Sequence, residues 1–107
     1  MNSFDKVYKV VSKIPKGKVA TYKQISKLAG IKNPRLVGFA LHRNLDPKTI
    51  PCHRIIKSDG TLALGYAFGG MEKQKMILKK EGIKFYKGNV DLKKYLFNFN
   101  VYSIVSS

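Results

Sequence analysis

Two helix starts lie so close together in this chain that only a tight turn fits between them. Thr21 with Gln24 three residues later forms a capping box, each side chain serving a backbone donor of the other residue. The helix it opens carries Tyr22, Ile25, Leu28 and Ala29 before Gly30 ends it. Asn33 then offers a second cap and Pro34 suits the first helical position, leading into Arg35-Leu36-Val37-Gly38-Phe39-Ala40-Leu41-His42-Arg43. Two short helices joined by a glycine-containing turn, the second of them basic, are the pattern of a helix-turn-helix. Gly38 inside the second helix costs about 1 kcal/mol relative to alanine, so something approaches the backbone there, either a partner or another helix.

The flanks are read in the same way. Ser3 can cap a first helix in which Phe4, Val7, Tyr8, Val11 and Ile14 recur at three- and four-residue intervals, giving one apolar face. Ile14-Pro15-Lys16-Gly17-Lys18 breaks that helix, and Val19-Ala20 is long enough only for a bridge or a brief strand. Asn44-Leu45-Asp46-Pro47-Lys48 is a polar connection, and Arg54 to Leu62 reads as a strand entering a tight turn. After the loop Gly65-Tyr66-Ala67-Phe68-Gly69-Gly70, Met71 to Lys80 predicts an amphipathic helix with Met71, Gln74, Ile77 and Leu78 on one side and Gly82 as its stop. The remaining residues alternate lysines with aromatics and receive no sharp assignment. With 107 residues the chain is one small domain, mostly helical with a short β-hairpin.

Its charge points to a partner. Lys and Arg number 21 against 6 Asp and Glu, a formal net charge of +15, which strongly favours a polyanion, with nucleic acid the leading candidate. A solvated lysine-rich surface accounts for individual residues such as Lys79, Lys80, Lys93 and Lys94 but poorly for the total. There is no long apolar span, so a membrane partner is not expected, and the chain reads as intracellular, cytoplasmic or nucleoid/nuclear, without a secretion signal.

The single cysteine, Cys52, sits in Ile50-Pro51-Cys52-His53-Arg54. A thiol attacks as the thiolate, its free pKa is about 8.5, and a neighbouring base or cation raises the reactive fraction near neutrality. Cys52 is therefore the candidate nucleophile, weighed against the many unpaired cysteines that are small core hydrophobes. Consecutive side chains on an extended strand point to opposite faces, so for His53 to assist Cys52 the backbone must turn or a water must bridge. Glu81 at a helix C-terminus opposes the macrodipole. Either it pairs with an adjacent lysine or it folds inward to orient a histidine. Cys52, His53 and His42 match no usual zinc spacing, and no metal is expected.

Taken together, these segments resemble the DNA-binding and active-site domain of the O6-alkylguanine-DNA alkyltransferases, also called methylated-DNA-protein-cysteine methyltransferases. The resemblance runs from about Phe4 to Phe97 and is carried by three stretches: Ile14-Pro15-Lys16-Gly17-Lys18-Val19-Ala20-Thr21-Tyr22; Ile50-Pro51-Cys52-His53-Arg54-Ile55-Ile56; and Gly69-Gly70 with Leu78-Lys79-Lys80-Glu81-Gly82. It implies a winged helix-turn-helix-like alkyltransferase domain over residues 1–97 and a C-terminal tail over 98–107. Cys52 becomes the alkyl acceptor, His53 acts through a water, Glu81 completes the relay and Asn44 braces the turn. Tyr22 crowds a DNA phosphate, Arg35 fills the place vacated by a flipped base, and Gly38 permits close contact in the minor groove. Arg54, Tyr66 and Phe68 join the residues that contact substrate or DNA, the last two in the loop walling the base pocket.

The implied partner is double-stranded DNA containing O6-alkylguanine, met by a monomer that needs no cofactor and reacts once. Family members usually carry an additional N-terminal domain, whereas this chain starts almost at the first helix. Small alkyltransferase-like relatives bind alkylated bases without repairing them, but typically have tryptophan or alanine where this chain has Cys52, which favours transfer. A lesion sensor without transfer and a helix-turn-helix regulator are the alternatives.

Overall fold

The computed structural model describes residues 2–62 and 68–99. Helix α1 spans Ser3–Val11; its cap is Asn2 rather than Ser3, because Asn2 Oδ1 accepts from Asp5 N at 2.8 Å. The apolar stripe behaves as expected, with Val7, Val11 and Ile14 buried. Strand β1, Ala20–Thr21, runs directly into α2, Tyr22–Leu28. The capping box is fully formed: Gln24 N donates to Thr21 Oγ1 at 3.1 Å, and Thr21 N donates to Gln24 Oε1 at 3.0 Å. Helix α3, Arg35–His42, follows; Pro34 already has right-handed helical dihedrals and Asn33 Oδ1 accepts from Arg35 N at 3.0 Å.

Helices α1, α2 and α3 pack on one another around a first core that includes Val7, Val11, Ile14, Ile25, Val37 and Ala40. A single 3-10 turn, Cys52–Arg54, leads into β2, Ile55–Ile56, which pairs in parallel with β1 in the register Ala20 with Ile55 and Thr21 with Ile56. The strand expected from Arg54 to Leu62 is thus only two residues long, since Lys57 to Thr61 closes as a turn, with Gly60 N donating to Lys57 O at 3.0 Å. Alternation along β2 sends Ile55 into the first core and Ile56 into a second one, formed with Val19, Leu62, Leu78, Ile83, Val90 and Tyr95. The short parallel pair therefore forms the seam between two apolar clusters.

Helix α4, Gly70–Lys80, begins one residue earlier than its pattern suggests, and of its apolar side only Gln74 and Leu78 are buried. The preceding Gly69 has φ +126°, and a Cβ there would lie 2.7 Å from the Lys73 Cβ, so glycine is required. Strands β3, Phe85–Tyr86, and β4, Asn89–Val90, make an antiparallel hairpin, followed by α5, Leu92–Tyr95. The hairpin docks on the turn after β2: Val90 N donates to Gly60 O at 2.8 Å, and a Cβ on Gly60 would meet Val90 O at 2.6 Å. The C-terminal segment then returns to β1, where Val19 N donates to Tyr95 O at 2.9 Å and Phe97 N to Val19 O at 2.7 Å. Phe99 is buried in the first core. Among the described residues no helix is long and apolar enough to cross a membrane.

Candidate functional site

The 3-10 turn answers the geometric difficulty of adjacent Cys and His. It curls the backbone at Cys52–Arg54 so that the side chains do not alternate as on a strand, and both Cys52 and His53 are buried. Asn44 fixes the start of the turn from below: its side chain is 2 % exposed, Nδ2 donates to Ile50 O at 2.8 Å, and Oδ1 accepts from Asp46 N at 2.9 Å. One amide thus braces both ends of the loop between α3 and Cys52.

At the far end of the turn, Glu81 caps α4 and folds inward. Its Oε2 lies 3.0 Å from His53 Nε2 and 2.7 Å from an Arg54 terminal nitrogen, while its Oε1 accepts from Arg54 Nε at 3.0 Å. The other terminal nitrogen of Arg54 donates to Ile14 O at 2.7 Å. Arg54, expected among the DNA-contacting residues, therefore has its guanidinium committed to the interior, and the acid it neutralises is the one that holds His53.

These pairings set the protonation states. Burial works to raise the Glu81 carboxyl, but hydrogen bonds from Arg54 and His53 outweigh it and leave it below the usual carboxylate value. Burial lowers the His53 pKa, assisted by the Arg54 charge and opposed by Glu81, so the imidazole is neutral near pH 7. A neutral ring facing an ionised carboxylate donates Nε2–H to it, which leaves the Nδ1 lone pair as a base.

The Cys52 thiol departs from expectation. Burial pushes its pKa up from 9.0, opposed by hydrogen bonds from the Asn44 side chain and from the Cys52 and His53 backbone. The neighbouring Arg54 guanidinium is turned onto Glu81. Cys52 rests as a protonated thiol, 4 % exposed, and the next residue along the turn, His53, carries the neutral base.

The residues expected to contact DNA fall mainly on α2 and α3. Tyr22 opens α2, half-buried; burial raises its pKa, and a charge on Cys52 would raise it further, so the phenol is neutral and near the thiol. Arg35 is exposed at the start of α3. Among the described residues a Cβ at Gly38 would meet nothing within 4 Å, so none of them explains the glycine. The same exposed surface carries Leu36, 39 % exposed, and Phe39, 56 % exposed, neither of which the sequence pattern marked. Phe68 is exposed at the edge of the loop before α4. Tyr66 lies outside the described residues. Among the described residues no three His, Cys, Asp or Glu side chains cluster as a metal site.

Residues 2–83 match the family model of the 6-O-methylguanine DNA methyltransferase DNA-binding domain. The chain belongs to that family. It is 46 % identical over 78 residues to a methylated-DNA--protein-cysteine methyltransferase of Methanothermobacter thermautotrophicus, covering 73 % of this chain and 43 % of that protein. It is 38 % identical over 101 residues to alkyltransferase-like protein 1 of Schizosaccharomyces pombe, covering 92 % of this chain and 91 % of the relative. The crystal structure of that Schizosaccharomyces pombe protein in complex with damaged DNA containing O6-carboxymethylguanine superposes with a TM-score of 0.77 at 35 % identity, covering 90 % of this chain and 94 % of the other. The chain spans less than half the length of the curated methyltransferases it matches. The family match covers both the helix pair and the cysteine turn.

Proposed function

We propose that this domain binds duplex DNA carrying O6-alkylguanine, turns the damaged nucleotide out of the stack and takes its alkyl group onto Cys52. The observation that carries this reading is the Cys52–Arg54 turn itself, which sets a buried thiol next to a neutral imidazole held by an ionised Glu81.

The chemistry balances without a cofactor. Sγ attacks the alkyl carbon as the carbon–O6 bond breaks and a carbon–sulfur bond forms. The thiol proton passes to His53 through a bridging water; the departing guanine takes one proton from water and the imidazolium gives its proton back to that water, so guanine and His53 both end neutral. Glu81 stabilises the imidazolium formed in transit. The thioether is not readily hydrolysed, so each protein reacts once.

Because the alkyl carbon is hidden in a duplex, the nucleotide must leave the stack at a cost of a few kcal/mol. Arg35 is suited to fill the vacated place, Tyr22 to press on the backbone beside it, and the open surface over Gly38 to admit the minor groove. The net charge of +15 supplies phosphate affinity that falls with salt.

A second reading, lesion binding without transfer, is favoured by the near full-length likeness to the alkyltransferase-like protein of Schizosaccharomyces pombe. Intact-protein mass spectrometry after incubation with excess duplex containing one O6-methylguanine separates the two. A gain of one methylene on the Cys52 peptide with no second turnover is the result expected of transfer; an unmodified protein that retains the lesion duplex is a sensor. A Cys52→Ser variant keeps binding and loses any mass gain.

A further inference from the structure

Gln74 occupies a position that the apolar stripe of α4 would give to a hydrophobe, yet it is 2 % exposed and polar. Its Nε2 donates to His53 O at 2.9 Å and to Ile55 O at 3.1 Å, so both amide protons enter the segment that bears the thiol. Glu81 lies seven residues further along the same face of α4 and binds the side chains of His53 and Arg54. One helix face therefore grips the Cys52–Ile55 segment twice, its backbone through Gln74 and its side chains through Glu81.

The two grips do different things. Glu81 sets the tautomer and orientation of the imidazole, but the ring can serve Cys52 only if the turn beneath both residues keeps its curl. The carbonyl of His53 lies inside that curl and that of Ile55 just past its end, and a single planar amide joined to both fixes the distance between them. We propose that Gln74 is a positioning residue for alkyl transfer, locking the backbone of the Cys52 turn so that Sγ and the His53 ring keep one relative placement. This rests on the transfer reading above.

The test compares Gln74→Leu, which has no donor, with Gln74→Lys, whose ammonium can reach both carbonyls. Three quantities are read in the full chain: the transfer rate from saturating O6-methylguanine duplex, the affinity for that duplex, and the pH dependence of Cys52 alkylation by iodoacetamide. Gln74→Leu is expected to slow transfer by about tenfold or more, as small misplacements of reacting groups do. Its duplex affinity should stay within about threefold of the parent, since removing an interaction made only on the way to the transition state leaves ground-state binding unchanged. Its iodoacetamide profile should move to higher pH, and Gln74→Lys should recover both rate and profile.

A folded Gln74→Leu protein with parental rate and profile overturns the proposal. If Gln74→Leu does not fold, Gln74→Lys decides: a folded protein with parental rate and profile upholds the proposal, and a folded but slowed one overturns it. Should the parent show no mass gain from the lesion duplex, the transfer reading fails, while the iodoacetamide profiles still report whether Gln74 holds the thiol.

Discussion

Arg54 clamps Glu81 with two prongs, Nε on Oε1 at 3.0 Å and a terminal nitrogen on Oε2 at 2.7 Å, and so balances the carboxylate that also holds His53. Removing the guanidinium strands that acid. Arg54→Ala should cost about 3 kcal/mol of stability, as breaking a buried ion pair does. It also removes a charge that lowers the His53 pKa, so the histidine titrates higher and the acid limb of the transfer rate moves upward in pH. Single-turnover rates across pH, with thermal unfolding alongside, check both effects; an unmoved acid limb would contradict the coupling.

Acid should weaken the domain over two successive pH ranges. His53 and Glu81 both have folded pKa values below their ordinary ones of 6.5 and 4.5, so the unfolded chain binds more protons and stability rises with pH through this range. Their contribution is complete above 6.5, shrinks as pH falls below that value, and shrinks again below 4.5 as Glu81 protonates. Cys52 has the opposite sign: its raised value favours the folded chain below 9.0, and that contribution is lost as pH rises through the folded value. Melting temperatures measured from about pH 2 to 10 should peak between neutrality and about pH 8.5. A flat profile on the acid side would count against a buried His53–Glu81 pair.

Arg35 acts on a base stack or not at all. Arg35→Ala should slow transfer from duplex far more than transfer from free O6-benzylguanine, which needs no extrusion. Equal losses on the two substrates would remove Arg35 from that role.

Gly38 separates folding from binding. Because a Cβ there meets nothing among the described residues, Gly38→Ala should stabilise α3, by up to about 1 kcal/mol on helix propensity. The same methyl group stands where a groove would approach, so duplex affinity should fall while the melting temperature rises. A variant that is more stable and binds equally well would show that nothing comes close to this backbone.

Phe99 tests where the domain ends. Phe99 contacts Phe97 edge to face, with centroids 4.7 Å apart, and packs into the first core. Ending the chain after Phe97 should cost about 3 kcal/mol, as loss of a buried phenylalanine does. Urea unfolding of the two lengths measures it; equal midpoints would place the domain boundary at 97.

Much of this was legible in the residues, and the gaps have physical causes. Thr21 and Gln24 announce their helix because a capping box is local, and Cys52 stands out through its immediate neighbours. The pairing of Arg54 with Glu81 is not legible locally, since the carboxylate lies 27 residues away. Gln74 was visible only as a member of an apolar stripe, because a buried amide declares itself through carbonyls that sequence does not bring into view. The β3–β4 hairpin went unassigned because its turn uses Lys87 and Gly88, both at positive φ, where an Asn-Gly pair would have given the usual signal.

The seam of β1 against β2 bears on when this protein becomes competent. Ala20 meets Ile55 there, His53 reaches Glu81 beyond it, and Val19 is closed from the other side by Leu96, all partners distant in the chain. Such contacts form late, after the loops between them have closed. On the transfer reading, a half-synthesised or partly opened chain therefore holds an unassisted thiol, and the proposed arrangement is complete only once these distant partners have met.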